Sequence, residues 1–327
     1  MQATLRRASI FGWIPRPVGR LFASASVIFA LGSTACAEAP ESAPRPTGPD
    51  PNHLPRVVDE SSGLETDPGS PGGLWTHGDS GTDPVLFAVD ARGALRGQVE
   101  IEGSARDWED LTWTPDHMVV GDTGNNFNRR KHLQVLLLER EALEALPKKL
   151  APVRSIEFRY PDQDAFPPAK MNFDAEALVW AHDHLWLLTK HRADTRTTLY
   201  RFADLEQTMQ TLERISDFDV GGAEHPYGGR VSAADVDDAE RRLVVLTYHA
   251  LFLFPLDPAR PEDLLAGEPM RIDIVGSKVG QCEGVVFAGD ELIVGNEFGR
   301  LFRLPLSQLA DGATWDGETL TPPKAAK

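Results

Sequence analysis

The chain has 327 residues, of which 41% are apolar and 25% are charged, and its formal net charge at pH 7 is −16. A chain of this length and composition can bury a full hydrophobic core, and it is neither fibrous nor disordered. The negative charge argues against binding to nucleic acid, or to anionic lipid, through a basic face. Two cysteines, Cys36 and Cys282, are too few for a disulfide framework or a cysteine-rich zinc site.

The N-terminus has the order of a secretory signal peptide. Residues 1–20 are basic, Leu21–Gly32 is an apolar run of 12 residues, and the small residues Ser33–Ala37 follow. A helix of 12 residues rises about 18 Å, which is too short for a bilayer core of about 30 Å. The segment therefore predicts export rather than a membrane span.

Two ways of processing this signal stay open. Ala35-Cys36-Ala37 fits the small-x-small rule of an ordinary signal peptidase, which makes residues 1–37 the signal peptide. Thr34-Ala35-Cys36 resembles the end of a bacterial lipobox, with Ser33 where leucine is usual, and this predicts lipidation of Cys36. We favour the lipoprotein, held in the periplasm or at the outer membrane, over a cleaved and secreted form. A lipid anchor is the only contact with a membrane that the sequence predicts.

The rest of the chain divides into three parts. Residues 38–54 are rich in proline, which disfavours helix and central strand, and they predict an extended tether. Residues 55–310 hold an internal repeat, and residues 311–327 form a C-terminal tail.

Five units within residues 55–310 share one pattern: a small or acidic residue, an apolar start, a turn, and a second apolar run that ends in a polar residue. From the first apolar residue to that polar residue there are 11 or 12 positions in four units and 15 in the first. Successive units recur after 47, 67, 58 and 49 residues. A third apolar run follows in every unit, and a fourth, alternating run follows in four of them.

Four short strands repeated about every 50 residues are typical of a β-propeller. We predict an all-β fold with five blades of four antiparallel strands. The fifth unit lacks a fourth strand, and Arg56–Glu60 is predicted to supply it and close the ring. Six blades are the alternative, since the third unit is longer. Residues 139–146 predict one short helix, and no helices alternate with strands as a Rossmann fold or a TIM barrel requires.

The motifs of these units resemble those of a family of exported bacterial propellers described as "esterase-like activity of phytase". The segments that carry the resemblance, in chain order, are Ser62–Leu64, His77–Gly81, Asp107–Asp110, Gly121–Asn126, Asp174–Leu178, Thr189–Lys190, Ala234–Val236 and Glu283–Gly284. More distantly the chain is similar to gluconolactonase and strictosidine-synthase-like propellers. The lactonase relatives imply an axial calcium ion held by acids and amides from several blades. Lys190 and Tyr248 depart from such a cage, because they stand where two further acids are expected.

Two sets of polar residues recur at equivalent places, which in a propeller point to one end of the central channel. The inner-strand set, with Ser62 in the first unit, is Glu109, Glu176, Asp235 and Glu283. The set at the end of the second strand is Asp79, Asp122, Lys190, Tyr248 and Glu297. Asp110, Asn125 and Asn126 are further candidate ligand-binding residues. Clustered like charges repel, and calcium, which takes 6–8 oxygen ligands, would relieve them. Glu109, Glu176, Glu283 and Asp235 are the candidate metal ligands.

Each of these residues also has a structural interpretation. Asp79 and Asp122 can cap turns, and the glutamates can form structural salt bridges. His77, His191 and His249 flank the second-strand ends; the last two are candidate general bases, and all three can instead be residues of the solvated rim. Trp75, Trp108 and Trp186 are predicted to pack between blades, and Cys282 to be buried and inert. Arg129–His132, the only basic cluster outside the signal, either binds a phosphate or carboxylate or is a solvated loop.

Two functions follow from these candidates. The first is an exported, lipid-anchored propeller that binds a small molecule or an envelope partner at the polar end of its channel without turning it over. The alternative is a calcium-assisted hydrolase of an ester, lactone or phosphoester, with Glu109, Glu176 or Glu283 as base. The sequence contains no Walker loop, G-x-S-x-G, H-E-x-x-H or EF-hand motif. Acids paired with Lys190 and arginines would favour the binding protein; a clean metal cage with an open position would favour the enzyme.

Overall fold

The computed structural model describes residues 45–103, 106–237, 239 and 241–323. The predicted signal peptide and Cys36 lie outside these residues, so export and lipidation stay predictions. Within the described part of the chain, no helix is both long enough and apolar enough to cross a membrane.

The strands form five sheets, which are the blades of a β-propeller. Each sheet is built mainly from antiparallel hairpins between sequence neighbours, because short apolar runs alternate with turns rich in glycine, proline and aspartate. The predicted all-β propeller with five blades is confirmed. The described residues form no sixth blade. The predicted short helix is also confirmed, as α1 (Arg140–Glu144).

The first two blades include most of the N-terminal half. Blade 1 consists of β1 (Ser61–Thr66), β2 (Leu74–Gly78), β3 (Val85–Val89) and β4 (Leu95–Ile101). Blade 2 consists of β5 (Trp108–Trp113), β6 (His117–Asp122), β7 (Leu133–Glu139) and β9 (Arg154–Arg159), with β8 (Lys149–Leu150) between the last two in sequence.

The other three blades follow in chain order. Blade 3 consists of β10 (Asp174–Ala181), β11 (His184–Lys190), β12 (Arg196–Arg201) and β14 (Glu213–Asp219). Blade 4 consists of β15 (Val231–Val236), β16 (Arg242–Thr247), β17 (Ala250–Pro255) and β18 (Met270–Ile274). Blade 5 consists of β19 (Cys282–Ala288), β20 (Glu291–Asn296) and β21 (Leu301–Pro305), and a 3₁₀ turn at Leu306–Gln308 follows.

Short strands from elsewhere in the chain cover three outer blade edges. The strand β8 pairs in parallel with β4, and β13 (Met209–Thr211) pairs in parallel with β9. Two strands from the predicted tail region, β22 (Ala313–Trp315) and β23 (Leu320–Thr321), extend blade 4 beyond β18. Each added strand satisfies backbone groups that an open edge would leave unpaired.

Every inner strand contains one extra residue relative to its partner strand. The register between the first and second strands shifts by one residue in all five blades. Such β-bulges turn the side chain at the insertion out of the regular alternation. The bulged segments contain Ser62, Glu109, Glu176, Ser232 and Glu283. The end of the channel near these residues is called the bulge end below. In blade 4 the equivalent residue is therefore Ser232 and not Asp235. Asp235 comes three residues after Ser232 and pairs in regular register with Val244.

The hydrophobic core lies between the blades. Trp75 and Trp108 belong to one apolar cluster shared by blades 1 and 2, with Met118. Trp186 belongs to a second cluster between blades 3 and 4, where it is packed with Phe252. The prediction that these three tryptophans pack between blades is confirmed, since each is at most 2% exposed.

The ring closes in a way that differs from the prediction. Arg56–Glu60 forms turns rather than a strand, because the segment follows Pro55, whose carbonyl accepts a hydrogen bond from Val58 N. The N-terminal contact with blade 5 is made earlier: Leu54 N donates to Gly299 O, and Leu301 N donates to Asn52 O. Blade 5 thus has three strands and a single antiparallel bridge in place of a fourth.

We predict that Leu54, rather than the residues after it, secures this closure. Leu54 is 2% exposed and packs in the cluster of blades 1 and 5, whereas Val57 is 50% exposed. Leu54→Ala should lower the free energy of unfolding by about 2–4 kcal/mol, and Val57→Ala, the matched control, should change it by less than about 0.5 kcal/mol. Denaturant unfolding measures both. Equal effects would contradict this description of the closure.

Candidate functional site

The bulges bring three glutamates together at the bulge end of the channel. Glu109 projects from β5, Glu176 from β10 and Glu283 from β19. Glu109 is 6% exposed and Glu176 is 2% exposed. These are three of the residues that the repeat pattern singled out, and they occupy the bulge of the inner strand in blades 2, 3 and 5. Their recurrence at one position of the unit explains why the sequence signal was visible.

A chain of hydrogen bonds through Lys190 and Tyr248 links two of these acids, Glu176 and Glu283. Lys190 Nζ donates to Glu176 Oε2 at 2.8 Å and to the hydroxyl oxygen of Tyr248 at 3.1 Å. The Tyr248 hydroxyl donates to Glu283 Oε1 at 2.9 Å. Burial opposes the positive charge of Lys190, but Glu176 and its neighbours outweigh burial and raise the pKa of the amine well above its usual value. The lysine therefore stays charged and joins blades 3, 4 and 5.

Glu109 is left without such a partner. Its carboxylate accepts no hydrogen bond from the described residues, and its oxygens lie within 4.8 Å of carboxylate oxygens of Asp107 and Asp79. Asp107 Oδ1 is also buried without a partner among the described residues. Gly124 leaves the room that these groups need, because a Cβ there would lie 2.0 Å from Glu109 Oε1. We call Asp79, Asp107 and Glu109 the carboxylate triad.

Burial and mutual repulsion both act on this triad. Burial raises the pKa of Glu109 well above its ordinary value, and the charges of Glu176 and Asp174 add to the increase. Burial, followed by the charges of Asp79 and Asp174, raises the pKa of Asp107 to about 6. Both shifts express the cost of holding negative charge here.

A second group of acids at the bulge end is already compensated. Oxygens of Glu109, Asp174 and Glu176 also lie within 4.8 Å of one another. Asp174 Oδ2, however, accepts hydrogen bonds from Arg192 Nε at 3.1 Å and Nη2 at 2.7 Å, and its Oδ1 accepts one from Asn125 N at 2.5 Å. Lys190 neutralises Glu176. The carboxylate triad is thus the better place for a hard cation.

The family resemblance implies a calcium ion, and the oxygen donors of the triad are of the type that calcium binds. Carboxylate oxygens are the ligands that calcium prefers, and it takes six to eight of them. Three carboxylates supply only part of that shell, and the rest would come from water or from a bound molecule. Asp79 and Asp107 are partly exposed, so this side of the triad faces solvent.

The other second-strand candidates have structural partners. Asp122 accepts hydrogen bonds from Arg130 Nη2 at 2.7 Å and Gln134 Nε2 at 3.1 Å. Asn126 Oδ1 pairs with Arg192, and Glu297 accepts a hydrogen bond from Gln281 at 2.5 Å. Ser80 N donates to Asp79 Oδ1 at 2.5 Å, so Asp79 caps its turn as predicted and also belongs to the triad, whereas Asp122 forms a salt bridge with Arg130.

Asp110 and Asp235 form a separate buried group with Glu65. Asp110 Oδ2 accepts Leu178 N at 3.0 Å, and Asp235 Oδ2 accepts Phe287 N at 2.7 Å. Each bond joins the inner strands of different blades. Glu65 and Asp235 also line a cavity of about 430 Å³ that includes none of the bulge-end residues. Asp235 therefore does not lie with Glu109, Glu176 and Glu283, as the metal-ligand prediction required. It stands on β15 three residues after Ser232, the residue at the bulge.

The histidines are buried and hydrogen-bonded. His191 contacts Asp194 Oδ1 at 2.6 Å and Thr198 Oγ1 at 3.1 Å, and His249 contacts Thr247 Oγ1 at 2.9 Å and Val220 O at 3.0 Å. Both ring nitrogens of each are engaged, so neither is free to take a proton from a substrate in this arrangement. Burial lowers the pKa of His77 to about 4. None of the three is a solvated rim residue.

Cys282 is 1% exposed, and burial raises the pKa of its thiol, as an inert buried cysteine requires.

The sequence analysis missed Asp107, Asp174, Arg192 and Glu65. A usable signal exists for the first two, since Asp107-Trp108-Glu109 and Asp174-Ala175-Glu176 repeat one acid-x-acid pattern at the same place in neighbouring units. No local pattern identifies Arg192, because its partners Asp174 and Asn126 come from other loops and strands.

Comparison with known proteins adds little beyond the fold. No protein-family model matches the chain, and no curated protein matches it. Among solved structures it is similar to a Kuenenia stuttgartiensis hydrazine synthase, with 10% identity and a TM-score of 0.42 over 75% of this chain and 71% of that one. It is also similar to a luciferin-regenerating enzyme, with 12% identity and a TM-score of 0.37 over 73% of this chain and 84% of that one. Likeness at this distance says nothing about activity, and membership of the "esterase-like" family stays a prediction.

The raised pKa of Asp107 predicts a pH-dependent stability. The folded state holds the Asp107 proton more tightly than the unfolded state, so stability is lost as the pH rises from about 4 through about 6. In chelator, Asp107→Asn should therefore stabilise the protein by about 1–2 kcal/mol at pH 8, a value reduced for solvent screening, and have little effect at pH 4.

Urea unfolding at the two pH values measures this difference. Asp116→Asn, at an exposed aspartate, is the matched control and should be neutral at both. A stabilisation by Asp107→Asn that is the same at both pH values would rule out the electrostatic cause.

Proposed function

We propose that this protein binds a cationic ligand at the bulge end of its channel, without turning it over, and that a calcium ion on the carboxylate triad is the simplest occupant. The observation that carries the proposal is Glu109, a buried carboxylate with no hydrogen-bond partner in the described chain, aimed at Asp107 and Asp79. A buried charge in this position is costly unless a cation or a proton compensates it.

The charges around the triad support a cationic ligand. Lys190 and Arg192 are directed to Glu176 and Asp174, so neither is hydrogen-bonded to the triad. Arg130 is directed to Asp122. The cations that could neutralise the triad from within the protein are thus engaged elsewhere, and an external cation would meet three carboxylates at once.

The same pairing favours binding over hydrolysis. A metal-assisted hydrolase needs a free base beside the ion, yet Glu176 is held by Lys190 and Glu283 by Tyr248. The nitrogens of His191 and His249 are also engaged. Acids paired with Lys190 and arginines are the arrangement expected of a binding protein.

The calcium-assisted hydrolase of an ester, lactone or phosphoester remains a second candidate because of one observation. Asp79 and Asp107 are partly exposed, so a cation on the triad would keep coordination positions open to a substrate. In that case Glu176, which lies near Glu109, would act as the base. It would have to give up its hydrogen bond from Lys190 and contact the substrate instead.

The proposed setting is the cell envelope, which the N-terminal signal predicts, and the ligand would be a small molecule or a partner found there. Lipidation at Cys36 would hold the propeller at a membrane through a proline-rich tether.

We expect calcium to stabilise the chelator-treated protein. At a concentration 100 times its dissociation constant, a ligand adds about 2.7 kcal/mol, which raises Tm by several degrees for a domain of this size. Glu109→Gln should abolish the shift, and it should also raise Tm in chelator, because it removes a repelling buried charge. Glu297→Gln changes the same charge at the same end of the channel and should keep the shift.

Thermal melts with calcium, magnesium and zinc test this directly. No shift of the native protein with any of the three at millimolar concentration would refute the proposed cation site. Turnover of lactones or phosphoesters that depends on calcium and on Glu109 would replace the binding function by the second candidate.

A further inference from the structure

A cavity on the side of blade 2 has the opposite chemistry to the carboxylate triad. It encloses about 340 Å³, and its lining includes Lys131, Arg159, Arg130, Tyr160 and Phe166. It contains three of the 33 lysines and arginines of a chain whose net charge is −16. Nothing in the proposed cation binding uses these residues.

The two exposed cations of this cavity lack acidic partners. Lys131 and Arg159 form no ion pair with any residue in the described part of the chain. The nearby acids have other partners: Glu157 contacts Nδ1 of His132, itself a lining residue, at 3.0 Å, and Asp162 contacts Arg214 at 3.2 Å. Two unpaired cations that line one cavity attract an anion.

Two buried donors in the cavity lining are also unsatisfied. The hydroxyl of Tyr160, a residue that is 4% exposed, has no hydrogen-bond partner among the described residues. Arg130 Nε likewise has no hydrogen-bond partner among the described residues, although the Nη atoms of Arg130 donate to Gly124 O at 2.6 Å and to Asp122 Oδ1 at 2.7 Å. A buried polar group without a partner is rare and costly in native proteins, so the protein itself leaves the donors behind the cavity wall incompletely paired.

Apolar surface completes the cavity. Phe166 is 38% exposed and its ring centroid lies 5.6 Å from Lys131 Nζ. Leu133 and Phe158 also belong to the lining. The cavity therefore offers donors for an acidic group beside a face for a ring or a short chain.

We propose that this cavity binds an organic anion, with its carboxylate or phosphate group held by Lys131 and Arg159 and its apolar part against Phe166. Lys131, one residue of the basic cluster Arg129–His132, thereby has a ligand-binding role. The site is independent of the carboxylate triad, and its ligand carries the opposite charge.

The test measures binding of phenyl phosphate and benzoate to the purified protein by calorimetry, with benzyl alcohol as the neutral analogue. At least one anion should bind, more weakly as salt is raised, and the alcohol should not. The tighter of the two anions identifies whether the natural acidic group is a phosphate or a carboxylate. Absence of binding by both at millimolar concentration, or equal binding of the alcohol, would overturn the proposal.

Four variants locate the site. Lys131→Gln and Arg159→Gln should each raise Kd about tenfold, since each removes one charge-assisted contact. Arg129→Gln makes the same charge change at an exposed neighbour outside the lining and should alter Kd less than about twofold. If Arg129→Gln raised Kd as much as the other two variants, the loss of affinity would come from the reduced positive charge in general. This result would contradict the proposed binding site.

Tyr160→Phe keeps the ring packing and removes only the hydroxyl. Because that hydroxyl is buried without a partner in the described structure and has almost no accessible surface, the variant should not lower Tm and should change Kd less than about twofold. Binding should persist in Glu109→Gln, so failure of the cation site and failure of the anion site are separate results.

Discussion

One extra residue in each inner strand governs the arrangement of this propeller. The bulge interrupts the two-residue alternation of the strand, so a side chain that would otherwise lie between blades is directed to the bulge end of the channel. The five blades repeat this device with glutamate in blades 2, 3 and 5 and serine in blades 1 and 4. The acidity of the bulge end is therefore a property of the repeat, and the differences between blades decide which acids find partners.

Those differences separate the acids into compensated and uncompensated groups. Lys190 replaces an acid in blade 3 and Tyr248 replaces one in blade 4, and together they connect Glu176 to Glu283. Asp110 and Asp235 accept backbone N–H groups of neighbouring blades, which fixes the inner strands to one another. Glu109 has neither kind of partner, and the cost of its burial is the physical basis for the proposed cation site.

Arg130 connects the surroundings of the two proposed sites. Arg130 donates to Asp122 and to Gly124 O, and Gly124 is the glycine that lies against Glu109, whereas Arg130 Nε belongs to the basic cavity. Its guanidinium thus lies between an acidic cluster and a basic one and contacts the loop that accommodates both.

The sequence by itself determined the repeat, the number of blades, the single short helix and the acidic inner-strand positions of blades 2, 3 and 5, because strand alternation and turn residues act over a few neighbouring positions. It did not determine the blade 4 equivalent, where Asp235 resembles the repeated acid but Ser232 occupies the bulge. Nor did it determine the Lys190–Tyr248–Glu283 chain, the arginine partner of Asp174, or the closure at Leu54 in place of Arg56–Glu60. These depend on register and on contacts between residues tens to hundreds of positions apart, and only the packing of the blades brings such residues together.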